Sequence, residues 1–148
     1  MRGFIITGTS SGIGHELCKL LLENPNYRVI GIGRTQNIKH TNYHHFALDL
    51  NNISEIGNIV FPEWTNAEQI SLIQNAGWIG PIQKIGNQEL GAISSAYIIN
   101  LVAPAVLSNQ FIKMYKSSKA QKVILSISSG AAHTAIGVGV HTVLQKQD

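Results

Sequence analysis

The stretch "GFIITGTSSGIGHELCKLLLENP" (residues 3–25) decides the fold, because three kinds of residue follow one another in a telling order. "GFIIT" (3–7) is a short apolar run of the kind that forms a buried strand. "GTSSGIG" (8–14) comes next, with Gly8, Gly12 and Gly14 spaced G-x-x-x-G-x-G. "HELCKLLLENP" (15–25) then sets Leu17, Leu20 and Leu21 at helical spacing, with Pro25 beyond the end. Glycines in such a turn let the backbone bend tightly, approach a phosphate closely and pack the helix on the strand. The helix start offers unpaired N–H groups and the positive end of its dipole. Ser10 and Ser11 add hydroxyl donors.

Working outward, "YRVIGIG" (27–33) reads as a second strand and "YHHFALDL" (43–50) as a third. Ser54 and Glu55 start a short helix that stops before Pro62. "ISLIQNAG" (70–77) is a fourth strand ending in a turn. A long, mostly apolar helix is predicted from Glu89 to Tyr115, with Pro104 forcing a kink or a late start. "KVILSIS" (122–128) is a fifth strand. Strands alternating with helices predict an α/β fold with a doubly wound parallel sheet. No repeat, low-complexity segment or linker divides the chain.

The 148 residues suggest one domain, and a hydrophobic content of 44% is enough for a sizeable core. Charged residues make up only 13%, which points to two buried sheet faces, an oligomer or apolar surface left bare. The net charge is +3, with Lys113, Lys116, Lys119 and Lys122 near the end of the long helix and the loop after it. They read as a solvated helix end, since the aromatic interleaving of a nucleic-acid surface is missing. Cys18 is the sole cysteine, so no internal disulfide forms, and its apolar helix context predicts a small core residue. The first strand starts almost at Met1, leaving no signal peptide, and no apolar run is read as long enough for a membrane span. The expected compartment is the cytoplasm, with no membrane or nucleic-acid partner.

"TGTSSGIG" (7–14) resembles the T-G-x-x-x-G-[IL]-G fingerprint of the short-chain dehydrogenases/reductases, whose nucleotide domain is a Rossmann fold. The likeness continues in order. Asp49 and Leu50 resemble the family's aspartate beside the adenine ring. "QNAG" (74–77) resembles its N-N-A-G turn, with Gln74 in place of the first asparagine. "INLVAP" (99–104) resembles the segment supplying a catalytic asparagine, here Asn100, and "VILSISSGAA" (123–132) the strand supplying a catalytic serine, here Ser129. The resemblance covers residues 3 to about 137, and "SSGAAHTAIG" looks closest to the sepiapterin-reductase-like branch. It implies a nucleotide-binding domain over residues 1–137 and an aberrant tail over 138–148. It also implies a cofactor site formed by Gly8, Ser10, Ser11, Gly12, Ile13, Gly14, Arg34, Asp49, Leu50, Asn75, Ala76 and Gly77.

Rossmann-type sites choose their cofactor at the end of the second strand. An acidic residue there binds the ribose 2′-hydroxyl, whereas an arginine pairs with a 2′-phosphate. Strand two ends "GIGR" with Arg34 in that place, so NADP(H) is favoured over NAD(H). His40, His44 and His45 invite a metal reading, but adjacent strand residues face opposite ways and no set completes a tetrahedral site, so no metal is expected. His133, just after the presumed serine, reads as loop packing or as a pocket residue.

Members of the family move a hydride between nicotinamide and a small carbonyl or alcohol substrate. A tyrosine hydroxyl carries the proton, and a lysine four residues later lowers its pKa. That tyrosine should fall 13 residues beyond Ser129, where this chain has Thr142, an aliphatic hydroxyl far too weakly acidic. Lys146 stands 17 residues after Ser129, in the slot that suits the lysine, with no tyrosine to tune. The tail "VGVHTVLQKQD" (138–148) does not continue the family pattern. Codons for residues 141–148, read with one base restored upstream, permit Tyr-Cys-Thr-Ala-Lys-Ala-Gly, which puts a tyrosine in slot 142. A one-base deletion near codon 138 followed by a premature stop accounts for this, and a naturally divergent end is the alternative. The expectation is therefore a reductase domain without turnover, against a nucleotide-binding fragment or a poorly folding product. Full-length relatives of this kind are expected to be homo-oligomers.

Overall fold

The computed structural model describes residues 1–84 and 86–129. Their elements are β1 (Arg2–Thr7), α1 (Gly12–Leu22), β2 (Tyr27–Gly33), β3 (Tyr43–Ala47), α2 (Ile53–Gly57), β4 (Gln69–Gln74), α3 (Leu90–Tyr97), α4 (Ala103–Tyr115) and β5 (Gln121–Ser126). The sheet has five strands in the order β3-β2-β1-β4-β5, and every pair is parallel. From β1 the chain winds outward through β2 to β3, then returns to the other side of β1 as β4. A parallel sheet whose order reverses in this way opens a crevice at the carboxyl ends of β1 and β4.

The apolar runs become central strands because both sheet faces are covered. On one face Phe4, Ile6, Val29 and Ile73 pack with Cys18 and Leu22 of α1. On the other, Ile5, Ile30, Ile32, Ile70 and Leu72 pack with Leu107, Phe111 and Tyr115 of α4. Cys18 is fully buried, and burial pushes its thiol up to about 12, which fits the core role expected of it. Helix α1 begins at Gly12, so the last glycine of the turn lies in its first helical turn. Strand β3 ends at Ala47, short of the predicted Leu50. Asp49 turns the chain there, its Oδ1 accepting the Asn51 N–H at 2.9 Å and its carbonyl the Asn52 N–H at 2.9 Å.

The long helix expected between Glu89 and Tyr115 starts at Leu90 and is divided, with a second α-helical segment starting at Ala103. A π-helical turn over Ile98–Val102 joins α3 to α4, and Pro104 sits in the first turn of α4. Proline has no N–H for the carbonyl four residues back, so the helix widens at Asn100, where that bond is lost. One reading of the sequence is corrected here. Leu90–Tyr115 is long and apolar enough, by length and composition, to cross a membrane, because no charged side chain interrupts residues 90–112. In this fold Ala96, Ala103, Leu107, Phe111 and Tyr115 turn inward to the core, while Leu90, Leu101 and Ile112 are exposed. The loop before β4 is pinned beneath this helix. Trp64 stacks on Tyr115 at 6.2 Å, and the Tyr115 hydroxyl donates to the Pro62 carbonyl at 2.8 Å.

Candidate functional site

The crevice is closed at its floor by a knot of polar groups from the turns after β1 and β4. The Thr7 hydroxyl, buried at the end of β1, accepts the N–H groups of Asn75 at 3.1 Å and Ala76 at 3.0 Å. The Asn75 side-chain amide donates back to the carbonyls of Thr7 at 3.0 Å and Gly8 at 3.3 Å. This clamp explains two glycines. Gly8 has φ +74° and its Cα carries no side chain against Ala76. A Cβ on Gly14 would strike the Gly8 carbonyl and the Asn75 amide, so helix and turn approach only because the residue is glycine.

Above the knot lies a cleft of about 560 Å³. Of the residues expected at a cofactor site, Gly8, Ser10, Ser11, Ile13, Arg34, Asp49, Leu50, Asn75, Ala76 and Gly77 line it. Gly12 and Gly14 do not; Gly12 contributes a φ of +61° and Gly14 the close approach to the Gly8 carbonyl. Seven wall residues were missing from the expected set: Ile32, Gly33, Leu48, Asn51, Trp78, Ser95 and Ile99. Gly33 is legible beside Arg34, and Ser95 with Ile99 forms an i,i+4 pair on one helix face. The others depend on which loops the fold brings together.

Polar contacts hold the rim. The Ser10 hydroxyl donates to the Thr35 carbonyl at 3.1 Å, and the Asn37 side chain donates to the Ser10 carbonyl at 2.7 Å. Arg34 lies between these contacts, exposed, and forms no ion pair with a carboxylate among the described residues. A planar guanidinium in that position offers several N–H donors to an anionic ligand.

At the other end, Asn100 sits in the π-helical turn and is fully engaged with one residue. Its Oδ1 accepts the Trp78 N–H at 2.8 Å, and its Nδ2 donates to the Trp78 carbonyl at 2.6 Å. Gln74, the departure from the family turn, is equally committed. Its Nε2 donates to the Pro104 carbonyl and to Ser108 Oγ, both at 2.8 Å, and its Oε1 accepts the Ser126 hydroxyl at 2.7 Å. One longer side chain thus ties β4 to α4 and β5. Ser129 follows β5 and is exposed. Lys146, Thr142, His133 and the tail over 138–148 lie outside the described residues.

The histidines divide as adjacent strand residues should. His44 meets Phe46 edge-on at 5.0 Å on one face of β3, while His45 turns to the other face, toward Tyr43. No group of three or more possible metal ligands forms among the described residues.

Comparison with known proteins places these features in a family. The model of the short chain dehydrogenases matches residues 3–141. The chain is 35% identical over 144 residues to a benzil reductase ((S)-benzoin forming) of Bacillus cereus, covering 88% of this chain and 57% of that one. It is 32% identical over 141 residues to the benzil reductase of Bacillus subtilis (strain 168), covering 89% of this chain and 56% of that one. The chain therefore spans just over half the length of the curated relatives it matches. Among solved structures, a 4-hydroxyisoleucine dehydrogenase complexed with NADH superposes with a TM-score of 0.82 at 26% identity, covering 99% of this chain and 64% of that one.

Proposed function

The chain belongs to the short-chain dehydrogenase family, and from that premise we propose that its cleft binds a nicotinamide dinucleotide, NADP(H) in preference to NAD(H). The observation that carries the preference is Arg34, which lines the cleft one residue beyond β2 with no acidic residue beside it in sequence. In this reading the turn from Gly8 to Gly14 receives the pyrophosphate, Asp49 and Leu50 flank the adenine, and the wall of Asn75, Ala76 and Gly77 faces the nicotinamide side. The cofactor supplies the hydride when bound. The protein orients it and excludes water from the turn.

At the reaction end Ser129 orients a carbonyl oxygen, and Asn100 holds the turn after β4 by its two bonds to Trp78. Lys146 takes the lysine slot. No residue of this chain supplies an acid at slot 142, because Thr142 cannot give up a proton near neutral pH. The chain thus binds cofactor without reducing a carbonyl. Residues 1–137 form the nucleotide domain, and residues 138–148 are read out of the family's frame, a reading that sequencing of the gene around codon 138 tests. When tyrosine and lysine are supplied in frame, the substrate is a small ketone, and benzil is the probe suggested by the relatives. Kinship with the sepiapterin-reductase-like branch and a cytoplasmic location are part of the same proposal.

The test is the ratio of NADPH to NADH affinity in the wild type and in Arg34→Ala. Loss of a charge-assisted contact to the 2′-phosphate should weaken NADPH by about 1.5–3 kcal/mol and leave NADH unchanged. An unchanged ratio removes Arg34 from cofactor selection.

A further inference from the structure

Beneath the cleft, outside the residues already assigned, runs a chain of side chains from the phosphate turn to the end of β2. Thr9 Oγ1 lies 3.3 Å from the Tyr43 hydroxyl, that hydroxyl lies 3.0 Å from His45 Nδ1, and His45 Nε2 lies 3.0 Å from the Gly33 carbonyl. Tyr43 and His45 stand two residues apart on β3 and so share a face. The neighbouring strand leaves them room. Gly31 pairs with His45, and a Cβ there would collide with the Tyr43 hydroxyl and crowd Thr9 Oγ1.

The direction of the bonds follows from chemistry. A carbonyl only accepts, so Nε2 carries the proton and Nδ1 of the neutral ring is bare. Tyr43 then donates to Nδ1, and its oxygen is left to accept from the buried Thr9 hydroxyl. One end of the chain precedes Ser10 and the other precedes Arg34, and both of these residues line the cleft. We propose that Tyr43 and His45 are positioning residues for the dinucleotide site, holding the phosphate turn and the arginine-bearing strand end at a fixed separation. This rests on the reading of the cleft as a dinucleotide site.

A protonated His45 carries a hydrogen on Nδ1. Tyr43 can no longer donate there, but its O–H can turn to Thr9 Oγ1, since either hydroxyl of that pair can donate, and its oxygen can accept from Nδ1–H, so the link persists with its bonds reversed. Burial holds His45 below the ordinary imidazole range, the Gly33 bond opposing it and His44 on the same strand adding to it. Burial also holds the Tyr43 hydroxyl above its ordinary value, with the Thr9 bond opposing and Cys18 of α1 adding to the rise, so it stays a donor. The charged group nearest along β2 is Arg34, one residue beyond Gly33. Burial therefore favours the neutral ring, with Nε2–H on the Gly33 carbonyl and Nδ1 open to the Tyr43 hydroxyl.

The experiment is calorimetric titration of NADP⁺ into the 148-residue chain at neutral pH, for the wild type, Tyr43→Phe, His45→Phe and His45→Gln. At neutral pH, Tyr43→Phe and His45→Phe should each weaken binding about 3- to 10-fold, the value of one or two hydrogen bonds. His45→Gln keeps a donor for Gly33, so it should recover part of that loss. Nitrogen NMR of the wild-type ring should show the Nε2–H tautomer, a readout that does not depend on any variant folding. Unchanged affinity in both phenylalanine variants, or an Nδ1–H tautomer, overturns the proposal while leaving the cleft assignment standing. A wild type that binds no dinucleotide overturns the cleft assignment and this inference with it.

Discussion

Strands β4 and β5 are neighbours of nearly the same composition, "QISLIQ" and "QKVILS", and are paired residue for residue from Gln69↔Gln121 to Gln74↔Ser126. Their fates differ. Leu72 of β4 is 0% exposed, whereas its partner Ile124 is 41% exposed and Leu125 beside it is 51% exposed. Strand β4 lies between β1 and β5, with α1 and α4 over its faces. Strand β5 stands at the sheet edge, and its apolar residues are covered far less. An apolar alternation states that a strand suits a buried place; only the surrounding elements state whether the place is buried. The nucleotide end of the cleft is built on β1, β2 and β4, and the presumed reaction end continues from β5. The first is packed and hydrogen-bonded; among the described residues of the second, Leu125, Ile127 and Ser129 are exposed.

The largest expected break between the two ends comes from Gly14→Val compared with Ser129→Ala. The valine side chain enters the space held by the Gly8 carbonyl and the Asn75 amide, so binding of NADPH should fall below detection. Ser129→Ala belongs to the reaction end and should change affinity by about twofold or less. Equal losses in calorimetric titration would erase the distinction between the ends.

A smaller effect sharpens the comparison of the strands themselves. Leu72→Ala should destabilise the chain by about 2–5 kcal/mol, because it opens a cavity in the packed layer. Ile124→Ala, its partner in register, should cost about 1 kcal/mol or less, because much of that side chain already meets solvent. Denaturant midpoints measure both. Comparable losses would mean that β5 is covered in solution by chain or by a second copy.

Much of this arrangement was legible in the sequence. The segment from β1 to β2 follows from local signals alone: an apolar run, glycines at fixed spacing, a helical repeat and a second run. The glycine-rich turn, Arg34 and the turn after β4 all meet at one cleft, because a parallel sheet brings its strand ends to one side. What was not legible depends on distant partners. The sequence marks Gln74 as a departure from the family turn, but not that its side chain reaches Pro104, Ser108 and Ser126. His45 stood in the sequence only as one of two adjacent strand histidines facing opposite ways, with no partner in view. It is partly buried and hydrogen-bonded instead, which requires knowing that Gly31 lies opposite it in register. Pro104 suggested a kink or a late start, and the chain answers with a π-helical turn before it, because the proline has no N–H for the Asn100 carbonyl.

The claim that the nucleotide end is complete and the reaction end is not can be tested on a single sample. NADPH is titrated into the 148-residue chain until its fluorescence change saturates, benzil is added in excess, and the nicotinamide absorbance is followed. The account predicts saturable binding, and then a nicotinamide signal that decays no faster than in buffer, since positioned acid catalysis is worth about 10²–10⁴-fold and Thr142 cannot supply it. Absence of saturable binding would contradict the first half of the claim, and catalysed loss of the nicotinamide signal would contradict the second.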